Sequence, residues 1–515
     1  MSGCFSLVLH THMPYVKKNG VFPVGEDWLY KVMSDTYLPL LGMLSQLQHE
    51  GVSSCMALTL TPVLVEQLAD DYIKERFVTY LETMAEHAGE DVQDFEYFND
   101  EERKELAAGY RDTYIRKKLA FQSIGGDLLG AILEFEDAGL IETLTSSATH
   151  AFLPGLDERS VRAQVRIGVQ SYEERTGRAP AGFWLPECAY HKGVEDILAE
   201  EGVRYFLVDQ SAMGGRASTY AWLAGCTPVA ALSRSQSAHV SVWDEKGYPS
   251  DARYLDSTKY YHNSGLLYWS VTGADVPIDE KRVYVPDEAR RGALGHAEGF
   301  VNDIVSELSS APRDDDGRSP IVLASYDTEL FGHGWREGLY WMEILLRSLQ
   351  SASSIELVTP SRYLDVNPPS ARVELEETTW GTNRDSSTWF NNSTDWMWKE
   401  IGRSSEELYR LLDQDLERSE EERLALVQAA RELLLLESSD WPYMVAKDRA
   451  AGYATERFNA HLERFRLASG AVGKKGRDLP QAALSEIEEQ DSLFPALDTR
   501  KFELPPERNE NGDDA

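Results

Sequence analysis

Apolar positions along the chain fall into two patterns. In the first, short runs are apolar along most of their length and rich in β-branched or aromatic residues. They are CFSLVLH (4–10), SSCMALTL (53–60), GFWLPE (182–187), VRYFLVD (203–209), AHVSVW (238–243), PIVLASYD (320–327) and IELVTP (355–360). Strands of a parallel sheet read this way, because helices cover both faces. In the second pattern apolar residues recur at helical spacing, as in VEDILAEEG (194–202), which stops at Gly202. Strands alternating with helices predict an α/β fold around a parallel sheet. The seven candidate strands are one short of the usual eight-stranded barrel.

Residues 62–180 contain no convincing strand; LVEQLADDYIKERFVTYLETMAEHA and the stretch to Ala151 are polar, amphipathic and helical in pattern. This predicts a helical insertion, set at 76–154, between barrel segments 1–75 and 155–400. From about Ser404 the pattern is helical again, which predicts an all-helical C-terminal domain over 401–500. ASGAVGKKGRDLPQAA (468–483) reads as a mobile loop and 501–515 as a disordered tail.

Composition narrows the partners. The 515 residues are 42% hydrophobic and 27% charged, as in ordinary globular proteins, with a formal net charge of −35. That charge repels phosphates and argues against nucleic acid. It suits neither an anionic substrate nor a membrane surface, whereas a neutral ligand such as a sugar is compatible. It also fits a hydrated acidic surface in high salt, where self-repulsion is screened. No run approaches the ~20 apolar residues of a membrane span. The short apolar stretch near the N-terminus has no basic segment before it and soon meets His10 and His12, so a cytoplasmic protein is expected. Cys4, Cys55, Cys188 and Cys226 are scattered without a CxxC pair, so neither a disulfide framework nor a zinc ribbon is suggested.

Polar residues gather where strands end. The first strand ends in His10-Thr11-His12, the third in Glu187, the sixth in Tyr326-Asp327-Thr328-Glu329, and the seventh in Thr359-Pro360-Ser361. In parallel barrels these C-terminal ends face the active site. Glu187 and Asp327 each terminate an apolar strand. Paired carboxylates beside a neutral ligand are the equipment of glycosidic bond chemistry, although each could instead cap the helix that follows. Trp28, Trp269, Trp380, Trp389, Trp396, Trp398 and Trp441 lie in polar contexts. Indole faces stack on the C–H faces of sugar rings, or simply pack a core. His10 and His12 share one strand face and with an Asp could hold a metal, as in sugar deacetylases; the chain has no HxxxH pair to complete that set. Hydrogen bonding of neutral imidazoles to a sugar hydroxyl and a carboxylate fits better, so no metal and no cofactor are expected.

In order, HTHMPYV, TLTPVLVEQL (59–68), WLPECAY, YDTELFGHGW (326–335) and LVTPSRYL (357–364) resemble the five motifs of glycoside hydrolase family 57. GEDWL, GYPSDARY (247–254), LLYWSVTG (266–273), TTWGTN and LLLLESSDWPYM (433–444) resemble its glucan branching members. The similarity runs from His10 to about Phe465. It implies a distorted (β/α)7 barrel with a helical insertion and a helical C-terminal domain. It also implies a retaining double displacement without metal, with Glu187 as nucleophile and Asp327 as general acid/base. The residues alone select the same pair but do not assign the roles. The substrate would be an α-1,4 glucan such as amylose or a glycogen-like polymer, cleaved and transferred to a 6-hydroxyl. His10 and His12 would contact the sugar, and the resemblance adds Trp28, Trp269, Gly273, Trp380, Trp389 and Asp440 to the cleft. Related activities, α-amylase or 4-α-glucanotransferase, and a catalytically weak glucan-binding protein are the alternatives. The chain departs from the family at Gly334, where a second Trp is common, and in WGTNRDS (380–386) and LDSTKYYHNSG (255–265). The segment 233–250, which contains Tyr248, is read as a lid over the donor site.

Overall fold

The computed structural model describes residues 3–273, 275–415, 417–472 and 481–504. Among them ten strands form one sheet. They are β1 (Gly3–Thr11), β2 (Met56–Leu60), β3 (Ile141–Ser146), β4 (Gly182–Trp184), β5 (Tyr205–Val208), β6 (Trp222–Ala224), β7 (Ala230–Ser233), β8 (Ile321–Asp327), β9 (Ile355–Leu357) and β10 (Arg372–Val373). Seven run parallel in the order β7-β5-β4-β3-β2-β1-β8. The sheet curls until its ends meet: Ser235, just past β7, donates its N–H to the Leu323 carbonyl of β8 at 2.7 Å. This is the distorted (β/α)7 barrel. β9 pairs only with Gly3–Phe5 at the start of β1, below the point where β2 joins at Val8. β6 runs antiparallel to β7 and carries β10.

Every residue of β1, β2 and β3 is buried, as helix-covered strands must be. The membership of the barrel nevertheless differs from the sequence reading. IETLTS, taken as part of a strandless region, is β3. Its polar residues hide it: Glu142 accepts hydrogen bonds from the Tyr205 and Ser361 hydroxyls at 2.6 Å, and Thr143 meets the Tyr172 hydroxyl at 2.5 Å. The helices before β3 end at Asp137, so the expected insertion boundary at 154 overruns a barrel strand. AHVSVW is not a strand but a helix, Gln236–Trp243, because the Ser235 hydroxyl accepts from the Ala238 N–H and starts one. The barrel strand there is AALS, β7. The IELVTP run sits outside the barrel path as β9, and Thr359 caps the helix Pro360–Val366 by accepting from the Arg362 N–H.

Between β2 and β3 the helices Asp71–Tyr97 and Glu101–Ser123 form a long hairpin. Asp70 and Asp100 cap them by accepting the Ile73 and Arg103 N–H groups. After the barrel come helices Asp395–Leu412, Glu420–Leu436, Asp440–Ala446, Ala451–Ala471 and Gln481–Gln490. They build a second core around Leu408, Leu433, Trp441 and Phe458. The stretch read as a mobile loop is helical at both ends; residues 473–480 between them, and 505–515 of the tail, lie outside the described residues. Among the described residues no helix is long and apolar enough to cross a membrane.

Candidate active site

The C-terminal ends of the strands open into a cavity of about 710 Å³. Glu187 and Asp327 both line it. The two arrive there by different means. Asp327 ends β8, where it stands in register with His10 of β1. Parallel neighbours in register point to the same face, so His10 and Asp327 share the inner side. Glu187 follows β4 with φ of 61°, and Cys188 follows with φ of 46°. Left-handed backbone is uncommon for non-glycine residues and is held here from outside. The Trp380 N–H donates to the Glu187 carbonyl at 3.0 Å, and Tyr190 and Thr378 exchange backbone hydrogen bonds.

Neither carboxyl caps a helix. Glu187 is gripped at both oxygens: the Trp380 indole N–H donates to Oε2 at 2.7 Å and the Ser439 hydroxyl to Oε1 at 2.8 Å. Burial raises its pKa to about 7, and these two donors oppose the rise. The pKa of Asp327 is raised too, first by burial and then by the Glu187 charge, with His12 and Arg234 opposing. No side-chain capping bond forms at the short turn that Asp327 begins. Each carboxyl has an acidic neighbour, Asp440 for Glu187 and Glu187 for Asp327; what separates them is that two donors favour the anion at Glu187, whereas no hydrogen-bond donor among the described residues reaches Asp327. Glu329, two residues on, also lines the cavity; its Oε2 is buried and has no partner among the described residues, and desolvation drives its pKa well up.

A chain of hydrogen bonds ends on Glu187. His10 Nε2 lies 2.9 Å from His150 Nε2, and His150 Nδ1 lies 2.9 Å from the Ser439 hydroxyl. Ser439 gives its proton to Glu187, so it accepts from His150 Nδ1–H. His150 Nε2 is then the acceptor for His10 Nε2–H. The remaining nitrogen, His10 Nδ1, is buried without a partner among the described residues. The rings are stacked: Trp184 covers His10 at 4.5 Å and His12 covers His150 at 3.8 Å between centroids. Burial drives the pKa values of His10 and His150 well down, which keeps them neutral. His12 holds Asp440 at 3.0 Å and Thr61 at 3.2 Å. Coordinating atoms of His12, His150 and Asp440 lie within 4.8 Å of one another. Both nitrogens of each ring are occupied by these bonds, so hydrogen bonding uses the set fully.

Trp28, Trp380, Trp389 and Asp440 line the cavity, as do His10 and His12. Trp380 is steered from behind: the Arg234 guanidinium sits 5.3 Å from its ring centre and is itself paired with buried Asp209 at 2.7 Å. Trp389 is fully buried against Phe152, its rings stacked at 4.5 Å. Two expected cleft residues lie elsewhere. Trp269 packs with Tyr261, Tyr268 and Arg103 against the helical hairpin, and Gly273 is in a turn whose carbonyl accepts from Lys281. Neither lines the cavity. Of the segment 233–250 read as a lid, Tyr248 does not line the cavity but stacks on His296 at 4.5 Å beside Trp335 and Trp341, while other residues of the segment do line it. They are Trp243 and His239, from the unexpected helix. The indole N–H groups of Trp396, Trp398 and Trp441 donate to backbone carbonyls. Cys188 is buried, and burial pushes its thiol pKa far up, so it is a packed thiol and no nucleophile.

His150, Ser439 and Arg234 are not marked by the sequence pattern, and Glu329 is marked only as part of the polar end of the sixth predicted strand. His150 follows β3, the overlooked strand, so its place at a strand end was hidden. Ser439 precedes Asp440 in SSDWP, and that polar turn is the one sign it gives in the sequence.

Comparison with known proteins gives the family. The glycosyl hydrolase family 57 model matches residues 6–243, and that of the 1,4-α-glucan branching enzyme C-terminal region matches 400–502. A 1,4-α-glucan branching enzyme of Thermococcus kodakarensis is 36% identical over 99% of this chain and 80% of its own length. The crystal structure of a branching enzyme from Pyrococcus horikoshii superposes with a TM-score of 0.92 at 34% identity, over 98% of each chain. An α-amylase of Thermotoga maritima superposes with a TM-score of 0.88 at 26% identity, over 98% of this chain and 99% of that one. On this full-length likeness the chain belongs to glycosyl hydrolase family 57.

Proposed function

We infer that the protein is a 1,4-α-glucan branching enzyme, which cleaves an α-1,4 glucan with retention and transfers the chain to a 6-hydroxyl. The observation that carries the chemistry is the unequal setting of two half-buried carboxyls in one cavity. We propose Glu187, held by two donors, as the nucleophile and Asp327, with none, as the acid/base. Retention asks for carboxyls about 5–5.5 Å apart. Asp327 protonates the leaving 4-oxygen while Glu187 attacks C1 to give a covalent glycosyl ester. Asp327 then takes the proton of the incoming hydroxyl, whose oxygen displaces Glu187 from C1. Water as acceptor gives hydrolysis; a glucan 6-hydroxyl gives a branch. The relatives named as branching enzymes favour the second, and the match of the C-terminal region adds to it.

Incubation with amylose should produce α-1,6 linkages visible by proton NMR. Reducing ends without branches would instead identify an amylase, the activity named for the Thermotoga relative. Glu187→Gln should abolish turnover and spare glucan binding. Wild-type protein that binds glucan but neither cleaves nor transfers it would leave a binding protein.

A further inference from the structure

A second cavity, of about 130 Å³, adjoins the first and shares Lys31, Tyr260 and His333 with it. Its far wall is the helical hairpin, through Tyr80, Tyr110 and Tyr114. Its floor is the segment Gly332–Arg336, directly after the turn that Asp327 begins. That segment is pressed onto an irregular, wider helical turn at Met33–Tyr37: a Cβ on Gly332 (φ +104°) would stand 2.0 Å from the Asp35 carbonyl. Such widened turns recur at functional sites.

The cations around this pocket are paired unequally. Lys117 takes Asp35 at 2.8 Å, and Lys31 takes Asp27 at 2.8 Å. Arg336 is left 3.7 Å from Asp35 and 5.8 Å from the Tyr110 ring centre. Among the described residues its guanidinium makes no hydrogen bond; 32% of its side chain is exposed, and it lines the pocket. A planar fork with free donors, set among tyrosine rings, suits vicinal hydroxyls of a sugar whose C–H faces rest on the rings.

We propose that this side pocket is an acceptor subsite, holding a glucosyl unit of the chain that receives the branch; this rests on the branching reading above. Its position argues for acceptor over donor. The leaving group departs, and the acceptor enters, on the side of the acid/base. Residues 332–336, which follow Asp327 by a few positions, line the pocket, whereas neither Glu187 nor its partner Ser439 does. Gly334 lines the pocket and leaves it open. An acceptor held here keeps its own 6-hydroxyl waiting at the glycosyl ester in competition with water.

The test is the ratio of α-1,6 linkages to new reducing ends formed from amylose by the full chain. Arg336→Gln should lower this ratio about tenfold, the scale of losing hydrogen bonds to a charged group. Tyr260→Ala, at a ring already 47% exposed and therefore tolerant of removal, should lower it about threefold. Raising the acceptor concentration with added maltoheptaose should restore the ratio in both. A branching wild type whose variants keep its ratio, or lose branching and hydrolysis in proportion, overturns the subsite alone. A wild type that forms no branches overturns the branching reading and the subsite with it.

Discussion

Single residues in this site act through their partners. Ser439 touches Glu187 and His150, so its hydroxyl both orients the carboxylate and stabilises its charge. Removing a donor to an anion raises the pKa of that anion. If Glu187 is the nucleophile, as proposed, the acidic limb of kcat/KM reports its ionisation in the free enzyme and should therefore move up by about one pH unit in Ser439→Ala. Ser439→Thr should return it. An unmoved limb would mean that the hydroxyl serves only to fill space. At this scale the sequence disclosed Glu187 and Asp327, since each ends an apolar run in which a carboxylate has no packing role. It concealed Ser439 and His150, whose meaning depends on which distant residues they meet. It misplaced Trp269, because a tryptophan in a polar context can face a ligand or pack under a neighbouring helix, and neighbouring helices are not written locally.

Elements are held by close approach and by buried polar ends. The helix Glu158–Thr176 crosses β3 so tightly that a Cβ on Gly168 would lie 2.3 Å from the Ser146 carbonyl. Gly168→Ala should cost about 1–3 kcal/mol despite its better helix propensity, read from the denaturant midpoint. Equal or greater stability would show that the helix can slide outward. Glu437 ends the helix Glu420–Leu436, fully buried, and accepts from Ser160 at 2.6 Å and Gln164 at 2.8 Å. Burial pushes its carboxyl up to about 8. Between the unfolded value of about 4.3 and that folded value, the native chain holds a proton the unfolded chain has released. Its stabilising contribution is complete below the lower value and falls by about 1.4 kcal/mol per pH unit as pH rises, until it is spent near 8. Glu437→Gln should flatten the loss of stability between pH 6 and 8; an unchanged slope would assign that loss to other groups. The helix Gln236–Trp243 belongs to this scale as well. Its alternation of apolar and polar residues read as a strand, and a single capping hydroxyl at Ser235 decided otherwise.

The whole molecule carries a formal charge of −35 on a shell whose catalytic centre is itself acidic. Mutual repulsion opposes the compact state and is screened within about 10 Å at 0.1 M salt and about 3 Å at 1 M. The melting temperature should therefore rise by several degrees between dilute buffer and molar sodium chloride. A flat or falling curve would show that ion pairs, such as those of Arg175 with Glu66 and Arg347 with Glu50, outweigh the repulsion. By itself the sequence determined what local chemistry can determine: an α/β barrel, a helical excursion and a helical end, and two acids at strand ends. Those follow from periodicity and from the cost of burying a carboxylate without a purpose. The tertiary structure alone decided which strands close the barrel. It placed a turn of the C-terminal helices against Glu187 and brought the hairpin helices up to the Gly332–Arg336 segment. Contacts between residues hundreds of positions apart, such as Ser439 with Glu187, are fixed by how whole layers pack, and no local pattern of side chains encodes them.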